Sequence, residues 1–118
     1  MSDAEGLDLF HELSIPRRLY HCTHEGSLEN LRLCGLAPEF AAKGDSKVWL
    51  CERHEILNVA EKVAKQHGWP PTAVVVVAVN TACLAPKITA HGKGWWFVRE
   101  RVPGTRLMAA WRPLVIQG

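Results

Sequence analysis

The sequence predicts an α+β fold in which two main helices lie on a curved, mostly antiparallel sheet. The segment TAVVVVAVN is an unbroken run rich in valine, which is typical of a strand covered on both faces. The segment RHEILNVAEKVAKQHG repeats its apolar residues at helical spacing, and WWFVRERV alternates between two faces as a strand does. Strands and helices mixed along one short chain indicate a single sheet with helices packed against it.

The first half of the chain is predicted to run strand, helix, strand, helix. A strand covers residues 18–22, and a short helix follows with Ser27 as its N-cap and Gly35 as its C-cap. Residues 48–51, VWLC, form the second strand. The long amphipathic helix after it ends at Gly68, because two prolines follow closely and cannot continue a helix.

The second half is predicted to contain more strand than helix. The valine-rich strand is followed by TACLAPKITAHGKG, which is typical of a loop, and then by the alternating strand. RLMAAW is compatible with helix or strand, and PLVI forms a last strand. We assign residues 1–17 to an N-terminal arm and residues 18–118 to the domain itself. The two faces of the alternating strand carry Trp95, Phe97, Arg99 and Arg101 on one side and Trp96, Val98, Glu100 and Val102 on the other.

Length and composition indicate an ordinary globular protein. The 118 residues suffice for one domain, and 47% are apolar and 22% charged. The net charge of +2 does not imply a general attraction to nucleic acid, although arginine, which suits phosphate, outnumbers lysine. No apolar run reaches the about 20 residues of a membrane-spanning helix, and the acidic N-terminus lacks the order of a signal peptide. We therefore expect a cytoplasmic protein that does not enter a membrane.

The segment His21-Cys22-Thr23-His24 concentrates reactive side chains at the end of the first strand. A Cys22 thiolate beside a histidine would be a nucleophile, but a buried structural thiol is the simpler interpretation. His21 and Cys22 point to opposite sides of a strand, which disfavours binding of one metal ion by both. As a second interpretation, a zinc site would draw its ligands from His21, Cys22, His24, Cys51 and His54. The third interpretation is that the segment forms the rim of a nucleotide pocket.

An ordered set of short motifs runs through residues 18–118 and resembles a known family. The motifs are Tyr20-His21-x-Thr23, then Gly35-Leu36, Val48-Trp49-Leu50-Cys51, the helix alanines Ala60 and Ala64, and Val102-Pro103 followed by Leu107. Their order resembles the ADP-ribosyltransferase-like fold. The similar branch contains tRNA 2′-phosphotransferases, DNA-targeting ADP-ribosyltransferase toxins and rifamycin ADP-ribosyltransferases.

The resemblance implies NAD as the cofactor and transfer of ADP-ribose, with nicotinamide release, to a protein, nucleic acid or small molecule. It implies that His21 hydrogen-bonds the ribose hydroxyls of NAD and that Thr23 assists it. Trp49 would stack on nicotinamide, side by side with His21 in one cleft. The flanking arginines that could contact the pyrophosphate are Arg17, Arg18 and Arg53.

The chain departs from the family at the late strand, where many relatives place a glutamate that steadies the transition state. Trp95 falls near that position, and the nearest acid, Glu100, lies on the opposite face of the strand and is the candidate for acceptor activation. Three alternatives to the ADP-ribosyltransferase function stay open. One is a tRNA 2′-phosphotransferase-like enzyme, and another is a module that binds NAD, ADP-ribose or a nucleic-acid end without turnover. A third is a small phage or toxin-system protein whose tryptophans contact a partner protein.

Overall fold

The computed structural model describes residues 15–37, 47–82, 84, 87–92 and 94–113. Within this part of the chain, the strands form one sheet in the order β4-β5-β2-β1-β3-β6, and each neighbouring pair is antiparallel. The predicted α+β class with a mostly antiparallel sheet is therefore confirmed. Most of the N-terminal arm, residues 1–14, lies outside the described residues. The strands are β1 (Arg18–His24), β2 (Val48–Cys51), β3 (Val74–Asn80), β4 (Ile88–Gly92), β5 (Trp95–Val98) and β6 (Leu107–Trp111).

Both predicted helices are present, α1 over Leu28–Cys34 and α2 over Ile56–His67. Gly35 ends α1, and its N–H donates to the Leu31 carbonyl at 2.7 Å. Gly68 ends α2 in the left-handed conformation. One side of α2 packs on β1 and β3, because its buried residues recur at helical spacing: Ile56, Val59, Ala60 and Ala64.

The sheet has an apolar cluster on each face. On the face covered by α2, which we call the α2 face, the cluster includes Tyr20, Cys22 and Cys51. On the opposite face it includes Leu19 and Leu50. Successive residues of β1 and β2 thus alternate between the two clusters. Among the described residues, no helix has the length and apolar character needed to cross a bilayer.

The predicted loop TACLAPKITAHGKG contains the edge strand β4, so this prediction is wrong in part. Four of the five residues of β4 are exposed, and Ile88 alone is buried. Because an edge strand with one buried residue lacks the alternation of a half-buried strand, its sequence does not distinguish it from a loop. Pairing with β5 decides its conformation.

The other three segments of the second half compare with their predictions as follows. The alternating strand ends at Val98 as β5, because the chain turns away and Val102 instead exchanges backbone hydrogen bonds with Leu36, each 2.8 Å long. The ambiguous RLMAAW forms the edge strand β6. The predicted last strand PLVI lies outside the described residues beyond Pro113.

Candidate active site

The sheet opens between β1 and β2. In the described chain the two strands are joined at Tyr20 and Cys51. Beyond that point β1 stays paired with β3 as far as His24, and β2 stays paired with β5 from Val48 onward. The C-terminal half of β1 and the start of β2 therefore belong to two diverging halves of the sheet.

A groove of about 1390 Å³ follows this opening, and residues from both halves line it. It is larger than the about 300–1,000 Å³ of most small-molecule pockets. The lining side chains that matter for the chemistry are His21 and Thr23 on β1, Lys47 and Trp49 at β2, Glu55, Lys62 and Lys65 at α2, and His91 and Trp95 on β4 and β5.

His21 bridges the two halves of the sheet. Its Nδ1 lies 2.9 Å from the carbonyl oxygen of Trp49, and because a carbonyl can only accept, Nδ1 donates. Burial lowers the pKa of His21, against the smaller opposing effect of this hydrogen bond. The ring is therefore neutral at pH 7, with its proton on Nδ1 and a lone pair on Nε2. Such a ring accepts a hydrogen bond at Nε2.

Acidification should destabilise the protein through His21. Since the folded pKa lies below the ordinary value of about 6.5, the unfolded chain binds the proton first, and the free energy of unfolding falls as pH drops below about 6.5. The slope from one group is at most about 1.4 kcal/mol per pH unit. Urea unfolding at a series of pH values measures it. His21→Asn should flatten this part of the curve, and an unchanged slope in that variant would show that another group is responsible.

Trp49 and His21 approach the groove from different faces. Strand alternation places the His21 side chain with Leu19 on the opposite face, and the Trp49 ring with Cys51 on the α2 face. The two side chains therefore line one groove from different faces of the sheet, and the described contact between them joins the imidazole to the Trp49 carbonyl. The Trp49 ring itself has its centroid 5.0 Å from that of His91, 5.3 Å from Phe97 and 6.0 Å from Trp95.

The predicted charged residues lie apart from the groove lining. Arg18 is at the far end of β1, roughly 17 Å from Thr23 at about 3.3 Å per residue, and Arg17 precedes it. Arg53 is exposed in the short 3-10 turn before α2. Glu100 is exposed beyond the end of β5 and pairs with Lys87, with an Nζ–Oε2 distance of 2.5 Å. None of these predicted residues is among those that line the groove.

Glu55 lines the groove, although no sequence motif singled it out. The Trp95 indole N–H donates to Glu55 Oε1 at 3.0 Å, and this hydrogen bond, with others from Asn58 and His54, holds the pKa of Glu55 below its usual range. The groove therefore contains an ionised carboxylate beside an indole. The sequence does not indicate a role for Glu55, because a glutamate just before an amphipathic helix is usually exposed to solvent.

The two buried thiols, Cys22 and Cys51, belong to the apolar cluster on the α2 face. Cys22 is buried, and its Sγ lies 3.9 Å from the Ile56 carbonyl oxygen. The neighbouring Cys22 thiol and burial both raise the pKa of the buried Cys51 thiol, which therefore stays protonated. Among the described residues, no group of three or more His, Cys, Asp or Glu side chains is placed to hold a metal ion.

The fold and the groove together define an α+β protein with one antiparallel sheet that opens between two central strands. Among solved structures the chain is similar to EcPltA, with a TM-score of 0.56 and 12% sequence identity over 82% of this chain and 75% of that chain. At this identity the likeness shows a shared fold alone. No protein-family model matches the chain, and no curated protein matches it.

Proposed function

We propose that the protein is an NAD-dependent ADP-ribosyltransferase, which cleaves the nicotinamide–ribose bond and transfers ADP-ribose to an acceptor. The observation that carries this proposal is the neutral His21 ring at the opening of the sheet. The Trp49 carbonyl holds its Nδ1–H, so that Nε2 is oriented to accept a hydrogen bond from a ligand hydroxyl. A ribose offers such hydroxyl donors, and the groove has the volume for a dinucleotide.

The other lining side chains supply complementary roles in this proposal. The Thr23 hydroxyl assists His21 at the ribose, and the partly buried Trp49 ring offers an apolar surface for nicotinamide. Lys65 is the candidate for the diphosphate, because it lines the groove and the predicted arginines do not.

The Glu55 carboxylate suits the bond-breaking step. When the nicotinamide–ribose bond breaks, its electron pair leaves with nicotinamide, and positive charge develops on the ribose. An ionised carboxylate in the groove stabilises that charge. The acceptor then attacks C1′ of the ribose and loses its proton. In this proposal Glu55, rather than Glu100, has the position for the acidic role.

A second candidate is a module that binds NAD or ADP-ribose without turnover. Two observations favour this module. Trp95 lies near the position where the family has a glutamate, and Glu100 is paired with Lys87 outside the groove lining. Titration with NAD, followed by tryptophan fluorescence and by chromatography of released nicotinamide, separates the candidates. Quenching with nicotinamide release supports the transferase, quenching alone supports the module, and the absence of both contradicts each of them.

Glu55→Gln should reduce nicotinamide release about tenfold while leaving the Kd for NAD within about twofold. The amide keeps the oxygen that accepts from Trp95 but loses the charge. The expected loss is below the 10²–10³ found in enclosed sites, because charge in an open groove is screened. Glu29→Gln, which makes the same change at an exposed position on α1 outside the groove lining, is the control. An unchanged kcat in Glu55→Gln would remove this carboxylate from the mechanism.

A further inference from the structure

Aromatic side chains of three neighbouring strands meet on the α2 face beside the groove. Trp49 on β2 lies directly opposite Phe97 on β5, and Trp95 is two residues away on the same strand. His91 on β4 adds an exposed ring, 5.0 Å from Trp49 between centroids. We call Trp49, His91, Trp95 and Phe97 the aromatic face.

The aromatic face lies beside the part of the sheet that α2 covers. In the described chain α2 packs chiefly on β1 and β3, whereas the aromatic face belongs to β2, β5 and β4. Trp49 and Trp95 accordingly remain partly exposed, and both line the groove. The partial exposure of two indoles on one surface leaves ring area that a ligand can contact.

Cationic groups surround the same rings. Lys47 Nζ lies 4.8 Å from the Phe97 centroid and 5.4 Å from that of Trp49, and Lys62 Nζ lies 5.3 Å from Trp95. The Arg99 guanidinium carbon lies 5.3 Å from the Phe97 centroid. The Glu55 carboxylate lies at the edge of Trp95, and Glu61 is a further acid of the groove lining. The surface therefore combines ring faces with several cationic groups.

We infer that the acceptor is a single-stranded nucleic acid that binds across the aromatic face; this inference rests on the proposed transferase function. Unpaired bases stack on indole and imidazole rings, while their phosphates pair with nearby lysine and arginine. A duplex keeps its bases stacked inside and gains nothing from the rings. A basic peptide would be repelled by the three cations, and an acidic peptide would leave the ring faces unused.

The position of the face next to the groove defines the transfer step. A base stacked on Trp95 lies next to Trp49, whose ring centroid is 6.0 Å from that of Trp95, and so beside the opening that His21 bridges. The C1′–nitrogen bond to nicotinamide breaks with its electron pair on nicotinamide, and a nitrogen of the stacked base forms the new bond to C1′. The proton of that nitrogen is lost to the Glu55 carboxylate or to water.

Fluorescence anisotropy without NAD tests the surface independently of the transferase chemistry. The probes are a short labelled single-stranded DNA of mixed sequence, an RNA of the same sequence and a DNA hairpin. Single strands should bind more tightly than the hairpin. Trp95→Leu should weaken single-strand binding at least about fivefold, the lower limit for loss of one stacked base. Arg99→Ala should reduce the salt dependence by a slope of about 0.7.

Lys87→Ala is the matched control for charge, because Lys87 pairs with Glu100 and is not among the groove-lining residues. It should leave single-strand binding unchanged. Urea unfolding of Trp95→Leu separates lost binding from lost folding, and the exposed Arg99 provides a second variant with little structural risk. Equal binding of hairpin and single strand, or unchanged binding in both Trp95→Leu and Arg99→Ala, would overturn the inference.

The two proposals fail in different measurements. Single-strand binding without nicotinamide release supports nucleic-acid binding at the aromatic face and overturns the proposed transferase function. Nicotinamide release without single-strand binding supports the transferase function and overturns nucleic-acid binding at the aromatic face. With both present, ADP-ribose on the oligonucleotide, detected as an increase in its mass, supports the inference, and its appearance only on added peptide overturns it.

Discussion

His21→Ala is expected to lose detectable NAD binding while the protein stays folded. The parent ring has its Nδ1 proton held by the Trp49 carbonyl, which leaves Nε2 as the acceptor for a ribose hydroxyl. Alanine removes both the acceptor and the bridge across the opening of the sheet. The free energy of unfolding should change by only about 1–2 kcal/mol, the ordinary range for a point substitution. NAD titration by tryptophan fluorescence and urea unfolding measure the two quantities.

His24→Ala is the matched control for that experiment. His24 ends the same strand, accepts a hydrogen bond from the Gly26 N–H at 3.0 Å, and is not among the residues that line the groove. Its removal should leave NAD binding close to that of the parent. If His21→Ala binds NAD as tightly as His24→Ala does, the assignment of the ribose site is wrong.

Gly35→Ala should destabilise the fold more than the substitutions at His21, Glu55 and Trp95 do, by about 2–6 kcal/mol. Gly35 has φ of 75° and ψ of −171°, a conformation that residues with a Cβ rarely adopt. A Cβ there would overlap the Val102 carbonyl oxygen and lie 3.0 Å from the Gly104 nitrogen. Both are backbone atoms, and the Leu36–Val102 bridge holds them in place. Such a loss is a large part of the about 5–15 kcal/mol that stabilises a typical domain.

Gly68→Ala separates the steric clash from the backbone conformation. Gly68 also has a positive φ, 70°, but a Cβ there would meet no atom within 4 Å among the residues described. It should cost only about 1 kcal/mol. Urea unfolding of the two variants gives the comparison, and equal losses would show that the approach of Gly35 to Val102 contributes nothing.

The elements with strong patterns were predictable from the sequence. The apolar spacing from Ile56 to Ala64 defines α2, and the valine-rich run defines β3, because these residues are buried by any fold that covers them. Gly35 and Gly68, which end the two helices, also have the C-cap positions predicted for them. The edge strand β4 was predicted as a loop and β6 was left ambiguous, since most of their residues are exposed and pairing with a neighbour determines their conformation.

The candidate site was predictable only in part, and the charged residues show why. Proximity in sequence suggested Arg17, Arg18 and Arg53 because they flank the strands, but a strand carries its two ends far apart. Lys62 and Lys65 reach the groove from α2, and Glu55 reaches it where the helix begins beside Trp95. No local pattern distinguishes such residues from solvated ones.

The fold class, both helices, strands β1 and β2, and the grouping of His21, Thr23 and Trp49 as candidate site residues could all be predicted from the residues alone. These features follow from local periodicity and from the order of short motifs. The folded arrangement was needed to show that β1 and β2 diverge, that His21 contacts the Trp49 backbone carbonyl, and which charged residues line the groove. The reason is physical: strand pairing and helix packing set long-range distances, and those distances depend on the whole fold rather than on neighbouring residues.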